Sequence, residues 1–124
     1  YSDRSLVDKG YIDSLVSGTT GTSGNLYILT SITTTPVTLT NDDYVVLVDT
    51  TTSKTINLPL SPNNGQAYKI KDKTGNALDN NITVSGNGND IDGNASYTID
   101  TNYGGVEVVY SSGDGEWYTL SFIN

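Results

Sequence analysis

Cysteine, methionine and histidine are absent from the 124-residue chain, and phenylalanine and tryptophan each occur once. The absence of cysteine excludes disulfide bonds, so cysteine content does not identify the redox compartment. Without histidine or cysteine the chain cannot form a Ser-His-Asp or Cys-His nucleophilic site, and it lacks most nitrogen and sulfur ligands for metals. It also lacks a GxSxG motif and a phosphate-binding glycine loop. We therefore expect no enzymatic activity and no cofactor.

Basic residues are also few. Six basic residues against fourteen acidic ones give a net charge of −8 and an isoelectric point near 4.1. Nucleic-acid phosphates and anionic lipid surfaces attract cationic proteins, so neither is an expected partner. No apolar run approaches the roughly 20 residues of a membrane-spanning helix, so we expect no membrane insertion. Because the chain begins at Tyr1 rather than at methionine, we expect it to be a piece of a longer protein.

The residues that are abundant favour short strands and tight turns. Threonine, asparagine, glycine and serine are common, and there are nine tyrosines. The clearest stretch is 43–73, where three strand-like segments follow one another. Val46 and Val48 share one face of the first segment, but Val45 and Leu47 are apolar too, as in a strand covered on both faces. Turn sequences such as Pro-Asn-Asn-Gly separate these segments.

The same pattern continues to the end of the chain and predicts nine strands. They are Leu26–Thr30, Pro36–Leu39, Tyr44–Asp49, Lys54–Leu60, Gln66–Lys73, Asn81–Ser85, Tyr97–Asp100, Val106–Tyr110 and Trp117–Ile123. We predict an all-β domain, either an antiparallel β-sandwich of jelly-roll type or a flattened barrel, with a hairpin turn at 111–115. The inward positions should form its core: Val46, Val48, Ile56, Leu58, Ile70, Ile82, Val84, Ile99, Val106, Val108 and Leu120.

A short α-helix is predicted only at the N-terminus, over residues 3–16. Its apolar face comprises Val7, Tyr11, Ile12, Leu15 and Val16, of which Val7, Tyr11, Ile12 and Leu15 are the candidates for contacts between copies. This face could pack on the chain's own sheet or gather several copies of the chain, and periodicity alone does not choose between them. The flexible sequence 17–25 follows, so we divide the chain into an N-terminal helix and connection, 1–18, and a β-domain, 19–124.

The sequence resembles a known class of viral proteins. SDRSLVDKGYIDSLV resembles the short segment that precedes the terminal domain in many bacteriophage tail-fibre and appendage proteins. DYVVLVDTTTSKTINLPLSPNNGQAYKIKDKTGNA and NNITVSGNGNDIDGNASYTIDTNYGGVEVVYSSGDGEWYTL resemble a β-domain that recurs in virion tail-fibre, head-fibre and baseplate proteins.

This resemblance implies a structural and adhesion module of the virion, which carries no catalytic residues. It implies a homotrimer that is attached to an upstream fibre or virion protein and displays a surface for a host receptor or a bacterial surface glycan. An alternative function is a carbohydrate-binding module of a bacterial surface protein or polysaccharide-degrading enzyme. Such a module would need only a linker at its N-terminus, whereas a fibre would use the helix to gather copies.

Acidic residues are the remaining candidates for chemistry. The pairs Asp42 with Asp43, Asp90 with Asp92, and Glu107 with Glu116 could hydrolyse a glycosidic bond if the fold brought them together. Acidic residues in Asn/Gly-rich turns more often shape the turn, and we favour that interpretation. The loop GNGNDIDGN, 86–94, makes Asp90 and Asp92 candidates for calcium binding. The spacing and terminal glutamate of a calcium loop are missing, so we expect no metal site.

Recognition residues are sought among the aromatic and basic side chains. Most tyrosines fall within predicted strands, where rings usually pack in the core or across strands. Tyr103 instead lies in the loop DTNYGG beside Asn102, and we interpret both as possible receptor contacts. Lys69, Lys71 and Lys73 alternate along one predicted strand. They could form a basic patch for an anionic glycan, but we favour a solvated or edge-protecting strand.

Overall fold

The structure, a computed structural model, describes residues 26–123 of the chain. The predicted helix over 3–16, with Val7, Tyr11, Ile12 and Leu15 on its face, lies outside the described residues and stays a prediction. All regular secondary structure within the described residues is β-strand, which confirms the predicted all-β domain for this part of the chain. Within residues 26–123 no helix of membrane-spanning length and apolarity occurs.

Nine strands make up the described part of the chain, and each overlaps one of the predicted strands. Their bounds are β1 Leu29–Ile32, β2 Val37–Thr38, β3 Val45–Val48, β4 Lys54–Asn57, β5 Ala67–Asp72, β6 Ile82–Ser85, β7 Ser96–Ile99, β8 Gly105–Ser111 and β9 Glu116–Ile123. Turns rich in glycine and asparagine separate them, and at Gly65, Gly75 and Gly115 the backbone adopts a positive φ that favours glycine.

The strands form two mixed sheets. The five-stranded sheet has the order β1-β3-β5-β8-β9, in which β1, β3 and β5 are parallel and the other neighbours are antiparallel. The four-stranded sheet has the order β2-β4-β6-β7, in which only β7 is antiparallel to its neighbour. The prediction of an antiparallel fold is therefore wrong for the first six strands.

The physical reason for the parallel pairing is that the chain alternates between the two sheets from β1 to β6. Each return to a sheet follows a strand in the other sheet, so the chain re-enters in its original direction. Between residues 26 and 123 hairpins occur only at β6–β7 and at β8–β9, where the predicted turn after Ser111 is found. Neither sheet closes on itself in the described part of the chain, so the predicted flattened barrel is also wrong.

The inward side chains of both sheets form one hydrophobic cluster. Ten of the eleven predicted core residues are buried: Val46, Val48, Ile56, Leu58, Ile70, Ile82, Val84, Ile99, Val106 and Val108. Tyr68 and Trp117 are the largest side chains in this core, and their ring centroids lie 5.9 Å apart. Burial of so many apolar side chains on one side of each sheet is the main stabilising contribution to the fold.

Leu120 is the core prediction that is wrong, because this side chain is 62% exposed. Side chains alternate across a strand, so Leu120, three positions after buried Trp117, falls on the opposite face. The register of β9 against β8 also shifts here, since Thr119 pairs with Val108 whereas Ser121 pairs with Glu107. Leu120 is thus the extra residue of a β-bulge, without a partner of its own.

Candidate functional site

The loop that was predicted to contact a receptor connects β7 to β8. It lies in space beside the end of β5 and is held there in a defined conformation. We call residues 101–104 the Tyr103 loop. Tyr103 is 56% exposed and adopts a φ of 60°, which is uncommon for a residue other than glycine. Asn102 is also exposed, and its side-chain oxygen accepts a hydrogen bond of 3.0 Å from the amide of Leu78. Both residues lie at the surface as expected, and their contact with a receptor stays a prediction.

Asp72 is the last residue of β5, and its carboxylate fixes this loop by accepting hydrogen bonds. Asp72 is buried, and its Oδ2 accepts hydrogen bonds from the amides of Tyr103 at 2.9 Å and Ala77 at 3.0 Å. Its Oδ1 accepts bonds from the Thr50 hydroxyl at 2.6 Å, the Gly75 amide at 2.9 Å and the Thr74 amide at 3.1 Å. One side chain therefore joins the turn after β5 to the Tyr103 loop.

A second layer of hydrogen bonds holds Asp72's partners. The Thr50 hydroxyl also lies 2.7 Å from the Thr74 hydroxyl and accepts the Asn76 amide at 3.0 Å. The Asn80 side chain donates to the carbonyl of Thr50 at 2.8 Å. Buried polar groups are costly unless they are hydrogen-bonded, and here the network supplies each with a partner.

The protonation state of Asp72 follows from the same contacts. Burial alone would raise the pKa of this carboxyl, because a charge is poorly solvated in the interior. The hydrogen bonds from Thr50, Tyr103, Gly75 and Ala77 favour the charged form, and the net result is a pKa below its ordinary value. Asp72 is therefore a stable carboxylate at neutral pH, suited to fixing a loop.

The ring of Tyr103 lies against the turn that Asp72 shapes. A Cβ atom added to Gly75 would lie 2.5 Å from this ring, so only glycine allows the ring to pack there. The ammonium of Lys71 donates a hydrogen bond to the carbonyl of Tyr103 and lies 5.7 Å from the ring centroid. The exposed part of the ring is thus presented beside a cation on an immobilised loop.

A second candidate surface is the outer face of the five-stranded sheet, the side that points away from the core. Its side chains alternate with the buried ones and are Leu29, Val45, Leu47, Lys69, Lys71, Glu107 and Ser121. A groove of about 490 Å³ runs over this face, lined by Tyr27, Val45, Leu47, Lys69, Lys71 and Glu107 among others. Its volume is within the range of about 300–1,000 Å³ that is typical of ligand sites.

Lys69 lies beside a pair of tyrosine rings at this groove. Its ammonium is 5.0 Å from the centroid of Tyr27 and 5.8 Å from that of Tyr44, and the two rings meet edge to face at 5.1 Å. The two phenols, followed by the smaller influence of Glu107, raise the pKa of Lys69. Tyr27 is 55% exposed, so this ring belongs to the surface and not to the core.

The lysines of β5 do not protect an edge. Lys69 and Lys71 point outward as the alternation predicted, but β5 is the central strand of the five-stranded sheet. Of the predicted solvated or edge-protecting strand, the edge-protecting interpretation is wrong, because strand order could not be read from local sequence, whereas Lys71 and Lys73 are exposed to solvent. Lys73 lies just beyond the end of β5 and does not line the groove.

The loop 86–94 holds β9 in place through its backbone and one carboxylate. Ile91 is buried and forms an isolated bridge with Trp117. Asp92 accepts hydrogen bonds from the Thr119 hydroxyl at 2.5 Å and the Thr119 amide at 3.2 Å. Asp90 and Asp92 are both exposed. In the described part of the chain no three acidic side chains gather into a group that could hold a metal ion. The contacts of Asp92 are those of a structural anchor.

The other acidic pairs also have structural partners or lie apart. Asp43 accepts hydrogen bonds from the Thr30 hydroxyl at 2.6 Å and the Thr40 amide at 2.8 Å, which closes the turn before β3. Glu107 and Glu116 lie in different rows of the β8–β9 ladder, about 13 Å apart along the strands. This separation exceeds the roughly 5–9.5 Å between the two carboxyl groups of glycoside hydrolases.

Asp72 is the site residue that the sequence analysis missed. It has the same parity as buried Tyr68 and Ile70 on β5, so alternation alone places its side chain inward. A carboxylate at an inward strand position is the signal that could have identified it. Comparison with known proteins adds no assignment: no protein-family model matches the chain, and no curated protein matches it.

Proposed function

We propose that the chain is a structural and adhesion module of a bacteriophage virion fibre, which trimerises and presents a surface for a host receptor or glycan. The observation that carries this proposal is the Tyr103 loop, which presents an exposed aromatic ring and whose Tyr103 amide is one of five donors to one buried carboxylate. Fixing a recognition loop before binding reduces the entropy that binding would otherwise cost. The sequence resemblance described above supplies the virion location and the upstream fibre partner.

The two sheets support the same proposal at the level of architecture. We infer that they are the layers of a β-sandwich, because the inward side chains of both belong to one hydrophobic cluster. A rigid two-layer domain with recognition residues on its connections suits a fibre tip, where binding depends on display and not on chemistry.

The Tyr103 loop is tested by glycan binding. On an array of bacterial surface polysaccharides we expect the intact chain to bind at least one glycan, and Tyr103→Ala to bind it about two- to tenfold more weakly, since an aromatic contact is worth about 0.5–1.5 kcal/mol. Tyr118→Ala is the matched control, because Tyr118 is also an exposed tyrosine but lies on β9. Equal binding by Tyr103→Ala and the intact chain would remove the loop as the site. Failure of the intact chain to bind any bacterial surface would contradict the adhesion function.

A carbohydrate-binding module is the second candidate function. The exposed ring of Tyr103 beside the Lys71 ammonium is a suitable platform for a sugar in either protein class. The two functions differ in self-association, since a module fused to an enzyme needs only a linker. Light scattering that shows a monomer with glycan affinity would favour the carbohydrate-binding module, and a trimer would favour the fibre.

A further inference from the structure

The outer face of the five-stranded sheet carries apolar side chains of the kind that are usually covered by another layer of protein. Parallel strands normally have both faces covered, and β3 is apolar on both. Val46 and Val48 point into the core, whereas Val45 and Leu47 point outward and are only half-buried. Leu29, opposite Val45 on the neighbouring strand, is 61% exposed. Single exposed leucines are ordinary, but three adjacent apolar side chains around a groove indicate an interaction site.

The charges on this face restrict what can cover it. Lys69 and Glu107 are direct register partners on β5 and β8, at the centre of the face. Glu107 receives a hydrogen bond of 3.3 Å from the Ser121 hydroxyl, and Lys69 has the two tyrosine rings described above. Within residues 26–123 no lysine forms an ion pair with a carboxylate. A purely apolar occupant would leave both charges desolvated, which is costly.

An occupant that offers apolar surface together with an anion for Lys69 and a cation for Glu107 therefore suits this face. A second copy of this chain carries that combination on the same face. The net charge of the chain is −8, so two copies repel each other unless the contact brings opposite charges together. The paired charges at the centre of the face meet that requirement.

We propose that the outer face of the five-stranded sheet is a contact surface between copies of the chain, in which Lys69 of one copy lies against Glu107 of the next. This inference rests on the self-association in the proposed function and assigns a surface to it. A contact that repeats from copy to copy around an axis closes into a ring, which is the geometry a homotrimer requires. The groove would then receive apolar side chains of the neighbouring copy.

Charge reversal in the intact chain tests this surface. Lys69→Glu and Glu107→Lys should each weaken association at least about tenfold in sedimentation equilibrium, because each places like charges together. The double variant Lys69→Glu/Glu107→Lys should regain association. Mixing the two single variants should restore association in part, since each offers the charge that the other lacks, although a ring of three copies always keeps one contact between two copies of the same variant. Lys73→Glu is the matched control, with the same charge change outside the groove, and should associate like the intact chain.

The mixing experiment separates a contact between copies from a contact within one chain. If each single variant keeps the association of the intact chain, or the mixture stays dissociated, the proposed surface is wrong. Thermal unfolding of each variant checks that loss of association does not follow from loss of the fold. The glycan array is an independent readout. If the charge-reversal variants associate like the intact chain while Tyr103 is needed for glycan binding, the contact surface on the outer face is wrong and the adhesion function stands.

Discussion

Five donors converge on the carboxylate of Asp72, and this residue links the stability of the domain to the Tyr103 loop. Asp72→Asn should lower the free energy of unfolding by at least about 1.5–3 kcal/mol, since an amide nitrogen cannot accept hydrogen bonds from the donors that face it. Denaturant unfolding at neutral pH measures this loss. Asp79→Asn, an exposed carboxylate in the next turn, is the control and should change stability by less than about 0.5 kcal/mol.

The pH dependence of stability follows from the same residue. The pKa of Asp72 is lower in the folded chain than its ordinary value of 3.8, so the folded state binds this proton less readily than the unfolded state. The stabilising contribution is complete above pH 3.8 and is lost as the pH falls through the folded pKa. Asp72→Asn lacks this titration, so the difference between it and the intact chain should shrink on acidification. A difference that stays constant down to pH 2 would contradict the role of the carboxylate.

Two leucines test the assignment of faces at the level of single side chains. Leu58 is fully buried, and Leu58→Ala should cost about 2–5 kcal/mol of unfolding free energy because it leaves a cavity. Leu120→Ala removes the same atoms from an exposed position and should cost less than about 0.5 kcal/mol. Equal costs for the two variants in denaturant unfolding would contradict the burial that separates them.

At the level of elements, the positions of strands were predictable from sequence, but their pairing was not. Alternating apolar residues and turn sequences are local signals, and they located all nine strands between residues 26 and 123. Whether β3 pairs with β4 or with β5 depends on which sheet each strand joins, and no local signal carries that information. The parallel order β1-β3-β5 was therefore missed.

The candidate site was predictable only in part, for the same reason. Tyr103 and Asn102 were found because loop residues are identified by local sequence, and both are at the surface. The groove was not predictable, since Tyr27, Lys69 and Glu107 come together only through the order of β3, β5 and β8. Alternation from Tyr68 and Ile70 along β5 would have found Asp72, and that error arose from giving residue type more weight than position in the strand. Leu120 shares the alternation of Tyr118, and only the burial of Trp117 and the bulge opposite Glu107 and Val108 place it outside.

At the level of the whole molecule, the N-terminal segment should strengthen association. The predicted helix over 3–16 is too short to be stable alone, so its apolar face is expected to gain stability by packing between copies. Deleting residues 1–18 should weaken the proposed trimer in sedimentation equilibrium, while contacts of the β-domain leave a residual association. A monomeric intact chain at micromolar concentration would contradict the trimer. A trimer that the deletion leaves unchanged would contradict only the role of the helix.

The alternation of strands between two sheets has a consequence for how such a chain can diverge. Register partners are 16 residues apart at Leu29 and Val45 but 24 apart at Val45 and Lys69, and both pairs of strands remain in continuous parallel register. The connections therefore differ in length without changing the register of the strands. Lengthening a loop costs little free energy. Insertions should accumulate in the connections, and a loop transplanted there should alter what the surface recognises without disturbing the sheets.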